Sequence, residues 1–560
     1  MPQKPVFSRP PILTIPHCFN TNGTIRSTDE RITRLYQRAV HWIDRPCLWE
    51  GLFRIACLIK SKPADEPVAA LIRDRIRVIG NGAFDGTITE QISIARAAFA
   101  LYEYNTDRNI LKRISLWLRY LEVDFDALCI QDHLLFRPAD LMELLVKFYQ
   151  VTGAKAVLRL CSRLRAMSFD WMTTLHTYQQ SIPIRPDDKN HYQLNLTDRP
   201  ETLDYEEKQK LINHAEMIAD GIRYTLFAGL FSGHVRDLSS GKTIWEYLKK
   251  HHRAICGGTS SNPFLCGCGS DQPVDTLATA AWTEAFASQM ILPDSDWALD
   301  ELIRIVFNSL NDCIEKDELP GRQYVNCVEA PENKTHDPAA LYARVTRAAA
   351  IAYRNAVTIM QDGIRINYLL PARFLLMIRK QAIMLQMKER SVIFQCCNPF
   401  FSGIDVFLPQ ISGDSIQMSR AGKNTTRQRM KSDSDAGFFL HSEGEWQNGD
   451  GFSIIPGRSP VCEKTHHQGL CFFEGNHLLS ICANSDQYAF AANESSINTE
   501  EKISILLKKV KGWKNRAGIP SDIPVMPETA NETITAEMRL YHKTTNRITM
   551  FPRTGASCLK

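Results

Sequence analysis

The residues with the most chemical range in this chain are its 16 cysteines and 15 histidines. Cys266 and Cys268 in LCGCGSD stand one residue apart, with Cys256 near. A C-x-C pair can chelate a metal, yet no second pair follows at standard spacing, so a loop of reduced thiols is the competing reading. Cys396 and Cys397 in FQCCNPF are adjacent in a strand-like run. Neighbours on a strand point to opposite faces, so one of the two belongs to a core. His336 and Asp337 precede Pro338 and a helical run. Asp337 there reads as a helix N-cap with proline in the first turn. Asp275 stands just before a helix opening at Thr276, where it reads as a cap, an acid or a metal ligand. His214 opens another helical run, as a pocket residue or a hydrogen-bonded structural one.

Composition bounds what these groups can serve. The chain has 560 residues, with 66 Lys and Arg against 62 Asp and Glu, a formal charge of +4. So small a surplus supplies no strong field for phosphates, which argues against nucleic acid as partner. Hydrophobic residues make up 44% and charged residues 23%, ordinary for a globular protein and outside the disordered, collagen and disulfide-scaffold classes. The first residues, MPQKPVFSRPPILTIPHCFN, are broken by Pro2, Pro5, Pro10, Pro11 and Pro16, so no signal-peptide core is expected. No run of 18 apolar residues occurs, so no spanning helix is expected. A cytoplasmic location with reduced thiols follows from these features.

Three parts are expected. Residues 1–29 form an extended segment. Residues 30–361 read as helices on short loops. In ADLMELLVKFYQV, Leu141, Leu144, Leu145, Phe148 and Tyr149 recur at helical spacing, and Gly153 punctuates. Some ten to twelve such segments need a shared core, and without a fixed repeat a closed toroid is preferred to a solenoid. Residues 362–560 change character. Short alternating or apolar runs such as VIFQCC, IDVFLPQI, GLCFFEG and HLLSICA predict an antiparallel β-sandwich. Gly422 to Ala436 reads as a polar loop, Thr499 to Gly518 as a basic helix, and RITMFPR as a last strand.

Several segments together resemble the bacterial β-L-arabinofuranosidase glycoside hydrolases, of the family 127 type. ADLMELLVKFYQVTGAKAVLRLCSRL is similar to that family's "ALLQYYEATGD" region. NHAEMIADGIRYTLFAGLFSG is similar to its "HGVN-x-A" helix, with His214 in the histidine position. CGCGSDQPVDTLATAAWTEAFASQM resembles the helix after its "GTE-x-C" motif, DELIRIVFNSLND is like "ERALYNGVL", and GRQYVN is like "FFYVN". Trp446, Gly449 and Asp450 match a "W-x-x-GD" turn, and RLYHKTTNRITMFPR looks like the closing "PYG-x-T-x-LRITEFP". The matches run in order from about residue 90 to the C-terminus. The resemblance implies an (α/α)6 barrel followed by a C-terminal β-sandwich. It also implies zinc held by a Glu and three cysteines, one cysteine serving as nucleophile, and a second Glu as acid and base.

That machinery is largely replaced. At "GTE-x-C" the chain reads PVDTL, so Asp275 stands for the ligand Glu and Leu277 for the ligand Cys. THDPAALYARVTR, with His336 and Asp337, occupies the region of the Cys-Cys pair, and the nearest cysteine is Cys327. Asn262 and Pro263 stand where one branch has Asp-Glu. Cys396 and Cys397 follow the domain change and do not precede a helix. No cofactor is assigned, and zinc is implied by the resemblance alone; Asp275, His336, Asp337 and Cys327 are the weak candidates for a rearranged site of mixed O, N and S ligands. The expected catalytic set is His214, Asp275 and His336. Trp171, Trp282 and Tyr324, with Trp245, are candidates to stack on sugar, although aromatics on amphipathic helices are most often core. Two functions compete: a divergent glycoside hydrolase acting on an oligosaccharide or small glycoside, or a binding or structural protein that has lost the catalytic set. Membrane partners are excluded on hydropathy, and pairing of two chains through the β part is a third expectation.

Overall fold

A computed structural model describes residues 24–551 apart from 28, 79–85, 131–133, 180–199, 263, 270–271, 325, 327–336, 361–362, 379–380, 409–414, 421–422, 429–436, 456–459, 465–468, 483–487, 493–496, 500–501, 515–528 and 545–546. Among the described residues the helical part holds α1 (Glu30–Ala39), α2 (Trp49–Ile59), α3 (Pro67–Val78), α4 (Ile88–Asn105), α5 (Arg108–Ile130), α6 (Ala139–Thr152), α7 (Lys155–Met167), α8 (Trp171–His176), α9 (Tyr205–Asn213), α10 (Ala215–Ser232), α11 (Val235–His251), α12 (Thr276–Gln289), α13 (Asp296–Phe307), α14 (Ser309–Glu315) and α15 (Pro338–Asn355). Local signals set their ends. Thr87 and Glu90 form a reciprocal capping box on α4, and Gly153 ends α6 in the left-handed region at φ 65°.

Burial separates two kinds of helix. α10 and α12 are buried on nearly every face, whereas α1 and α7 bury one stripe. The helices buried all round form a closed cycle: α2 packs on α4, α4 on α6, α6 on α10, α10 on α12, α12 on α15, and α15 returns to α2. The rest lie outside it, α1 on α2 and α15, α3 on α2 and α4, α5 on α4, α7 on α6, α11 on α10, and α13 on α12. Gly51 makes the closing contact feasible. A Cβ there would sit 2.1 Å from Thr346 Oγ1 and 2.9 Å from the Arg347 nitrogen on α15.

The β part is built of sheets whose strands are mostly antiparallel. A seven-stranded sheet runs in the order Thr24–Ser27, Ala372–Ile378, Gln381–Lys388, Ser391–Cys396, Gly451–Ile455, Ser415–Arg420, Lys423–Gln428. The stretch expected as an extended N-terminal segment therefore supplies an edge strand, with Thr24 opposite Leu375. A four-stranded sheet runs Phe438–Trp446, Phe400–Leu408, Gly363–Ile366, Val357–Ile359, and one of its pairings, Gly363–Ile366 with Phe400–Leu408, is parallel. One continuous apolar core joins these two sheets to the helices. A third sheet, including His477–Cys482, Ser504–Lys514 and Thr529–Leu540, closes over a separate cluster around Leu470, Phe472, Ile505 and Leu507.

Two expectations about the β part are corrected. Lys423–Gln428, read as part of a polar loop, is a strand paired along its length with Ser415–Arg420. Its threonines are strand formers, and an edge position does not require apolar alternation. The basic segment read as a helix contains the strand Ser504–Lys514. Ile505 and Leu507 are fully buried while Leu506 between them is half exposed, a period of two that the lysines disguise.

Candidate functional site

Five of the six helices of the closed cycle carry charged side chains at helical spacing, and α12 carries one. α2 supplies Glu50 and Arg54, α4 Arg96 and Glu103, α6 Asp140, Glu143 and Lys147, α10 Glu216, Asp220 and Arg223, α12 Glu284, and α15 Arg344, Arg347 and Arg354. Arg137 joins them from just before α6. Spacings of three, four and seven put these groups in single stripes. Ion pairs between helices that are not neighbours in the cycle place the stripes in its interior. Arg344 on α15 reaches α10, with Nη2 2.6 Å from Asp220 Oδ2 and 2.9 Å from Glu216 Oε1. Arg347 on α15 reaches Asp140 on α6 at 3.2 Å. Arg96 donates to Glu50 at 2.7 Å, Asp140 at 3.0 Å and Glu143 at 3.2 Å.

Glu284 is the most heavily used acceptor. Arg347 donates to it through Nε at 2.6 Å and Nη2 at 2.9 Å, Arg344 at 3.0 Å, and Arg223 from the neighbouring α10. Taking ions from water is costly, and only paired, hydrogen-bonded geometry repays it. The titration directions reflect that balance. Burial works to raise the Glu143 carboxyl, but Lys147, Arg96 and Arg223 outweigh it and bring it down to about 2. Burial likewise opposes ionisation of Glu50, Asp140, Glu216 and Asp220, and the surrounding guanidiniums drive each below the usual carboxylate range. Arg137 and Asp140 remain open to solvent within this array, with 38% and 30% of their side chains exposed.

His214 and Asp275 come together at one end of the cycle. His214 sits at the junction of α9 and α10, its ring 5.5 Å from Phe264 in edge contact. Its Nδ1 is buried with no hydrogen-bond partner among the described residues. Burial holds the imidazole below its ordinary pKa, and Glu216, Arg137, Asp275 and Asp220 are the charges acting on it. Asp275 caps α12, accepting from the Ala278 N–H at 3.0 Å. The strand Pro273–Asp275 pairs with Arg322–Tyr324, which brings Tyr324 to the same end. Tyr324 gives its carbonyl to Arg547 Nε at 3.0 Å. Asp337 caps α15 through the Ala339 N–H at 3.1 Å and lies 3.7 Å from Arg45. His336 and Cys327 lie outside the described residues.

Trp171 and Trp282 are buried to 1% and 0% exposure. Their indole N–H groups donate to the Phe136 carbonyl and to Thr259 Oγ1. Trp282 also packs between Trp245 at 5.1 Å and Phe286 at 5.2 Å. Protein atoms therefore enclose Trp282, and they cover Trp171 except where it borders a cavity between α7, α8 and α11.

Among the described residues the donors do not fit zinc. Asp275 is committed to its cap, and Leu277 offers no donor. Cys266 and Cys268 face different carbonyls, those of Pro273 and Lys250. Burial raises the thiols of Cys256 and Cys268 to about 11, against the thiolate that a metal requires. Among the described residues no group of three His, Cys, Asp or Glu side chains is placed to hold a metal ion.

No family model matches the sequence, and no curated protein does. Solved structures do. A GH127 β-L-arabinofuranosidase from Geobacillus stearothermophilus T6 aligns at TM-score 0.62 and 13% identity, over 93% of this chain and 91% of the other. A second GH127 β-arabinofuranosidase gives TM-score 0.61 and 11% identity, over 96% and 97%. A protein described as a glycoside hydrolase gives TM-score 0.68 and 10% identity, over 96% and 97%. The chain shares the fold of GH127 β-L-arabinofuranosidases. The likeness spans more than nine tenths of each chain compared. Sequence reasoning that followed the family's metal motif missed the charged stripes. The signal was present in AEMIADGIRYTLFAGL, where Glu216, Asp220 and Arg223 interrupt an otherwise apolar helix at spacings of four and three. Among the described residues no helix is long and apolar enough to cross a membrane.

Proposed function

We propose that this chain is a glycoside-hydrolase-like protein that binds an oligosaccharide at the mouth of an (α/α)6 barrel and does not cleave it by zinc-thiolate chemistry. In this reading the closed cycle of helices is the barrel, and the two sheets continuous with its core form the β-sandwich. The observation that carries the proposal is the state of the interior carboxylates. A glycosidase acid must keep its proton near neutral pH, which requires a raised pKa. Glu50, Asp140, Glu143, Glu216 and Asp220 are all pushed the other way by neighbouring guanidiniums. Such groups are poor acids, but they are good fixed acceptors for sugar hydroxyls, as the guanidiniums are good donors. Arg137 and Asp140, which water reaches, would meet the ligand first.

A second reading keeps hydrolysis. His214 has an Nδ1 near the Asp275 carboxylate that is unpartnered among the described residues, and with His336 it would move a proton to or from an attacking water. One experiment separates the two: hydrolysis of aryl glycosides and arabino-oligosaccharides with and without added zinc, alongside metal analysis of protein purified without chelators. The binding reading expects saturable binding, no turnover and no stoichiometric metal. Turnover that His214→Ala and Asp275→Ala abolish with the fold intact would establish the second reading instead.

A further inference from the structure

On the outer wall of the helical cycle, away from its charged interior, lies a cavity of about 460 Å³. It is bounded by the C-terminal turn of α7, by α8, by Tyr224 on α10 and by the first turn of α11. A volume of that size lies within the range of ligand pockets. The floor is aromatic and rigid. Phe169 and Trp171 meet edge to face at 5.0 Å, and Trp171 presses so closely on α10 that a Cβ at Gly221 would lie 2.6 Å from its ring. Tyr224 completes the floor and is almost fully buried.

The rim is polar, and much of its bonding capacity is unspent. Arg165 donates from Nη2 to Asp237 Oδ2 at 3.2 Å. Asp170 uses Oδ1 to cap α8 through the Thr173 N–H at 3.0 Å, and no hydrogen bond engages Oδ2 among the described residues. His176 uses Nε2 on the Arg236 carbonyl at 3.2 Å, and no hydrogen bond engages Nδ1 among the described residues. The exposed Arg236 guanidinium makes no hydrogen bond or ion pair among the described residues. The rim thus carries both donors and acceptors. The two arginines are matched by Asp170 and Asp237, so with His176 neutral the formal charge is zero.

We propose that this cavity is a second saccharide site, taking a neutral mono- or disaccharide unit outside the helical cycle. A phosphate or carboxylate ligand would call for surplus positive charge, which the balanced rim lacks. A polyol needs paired donors and acceptors above an apolar floor, which it has. Arg223 and Tyr224 are consecutive on α10, one in the charged interior and one in this cavity, so the two sites stand back to back. The inference does not depend on binding inside the cycle.

The test is hydrogen exchange of the full chain with and without millimolar L-arabinose, arabinobiose or maltose, with galacturonate and glucose 1-phosphate as charged comparisons. Protection of peptides covering 165–177 and 233–240 by a neutral sugar is the expected result. Arg236→Ala should remove that protection and weaken binding about tenfold, the loss of one charge-assisted hydrogen bond. Arg236 is exposed and unpaired among the described residues, so the variant keeps its fold, which an unchanged melting temperature checks. No protection by any neutral sugar would overturn the proposal, as would protection unaffected by Arg236→Ala or protection by the charged sugars alone.

Discussion

Replacing Glu284 by Gln tests the charged interior where it is most concentrated. Glu284 is 1% exposed and accepts from Arg347, Arg344 and Arg223, which come from two different helices. Glutamine keeps the shape and one acceptor oxygen but turns an amide donor toward guanidiniums that have only donors. Uncompensated buried charge after loss of one partner costs about 3–5 kcal/mol. With three arginines sharing the acceptor, the upper part of that range is expected. For a cooperative unit of a few hundred residues this lowers the melting temperature by on the order of 10 °C. The assay is urea or thermal denaturation followed by circular dichroism, with the Glu284→Gln, Arg347→Met double variant as the fourth corner of a cycle. The double variant should be more stable than Glu284→Gln alone, because it removes one of the stranded charges. A loss below about 1 kcal/mol for Glu284→Gln, a size typical of exposed pairs, or strict additivity in the cycle, would refute the claim that the interior is held by this network.

Four further outcomes follow. Gly51→Val should prevent proper closure of the helical cycle, because its Cβ would fall 2.1 Å from Thr346 Oγ1; lost near-ultraviolet circular dichroism or aggregation is the readout. Stability should fall with pH below about 6.5. His542 is nearly buried and held neutral, its pKa brought down to about 3 by burial and then by neighbouring positive groups, so its contribution is full above the unfolded value and is lost as pH falls toward 3; His542→Gln should flatten that part of the profile. Glu143 adds a second loss at lower pH, from its unfolded value near 4.5 down to about 2, visible as steepening acid denaturation. Chelation by EDTA should leave the melting temperature unchanged, as expected of a fold without a structural metal.

The sequence made the helical part legible through one-sided apolar periodicity, as in α6 and α7, and the order of the family-like segments anticipated the fold that the solved structures share. Other features were hidden for physical reasons. The lysines that follow buried Ile505 and Leu507 end the apolar run, so the strand period there shows over only three residues. Thr24–Ser27 gains its strand only by pairing with residues some 350 positions later, which no local pattern encodes. The site was legible in part. His214 and Asp275, expected as catalytic residues, lie at one end of the helical cycle, whereas the arginine and carboxylate stripes of α6, α10 and α15 match no metal-ligand spacing in the sequence. Each stripe looks, on a single helix, like the solvated face of an amphipathic element, and only the crossing pairs Arg344–Asp220 and Arg347–Asp140 place it inside.

Isothermal titration of the full chain with arabino-oligosaccharides, repeated on Arg137→Ala, addresses the central claim most directly. Saturating heats that decay to dilution, weakened in the variant, are what binding without cleavage in the helical interior predicts. A sustained heat of turnover, rising when zinc is added and unaffected by the loss of Arg137, would contradict it.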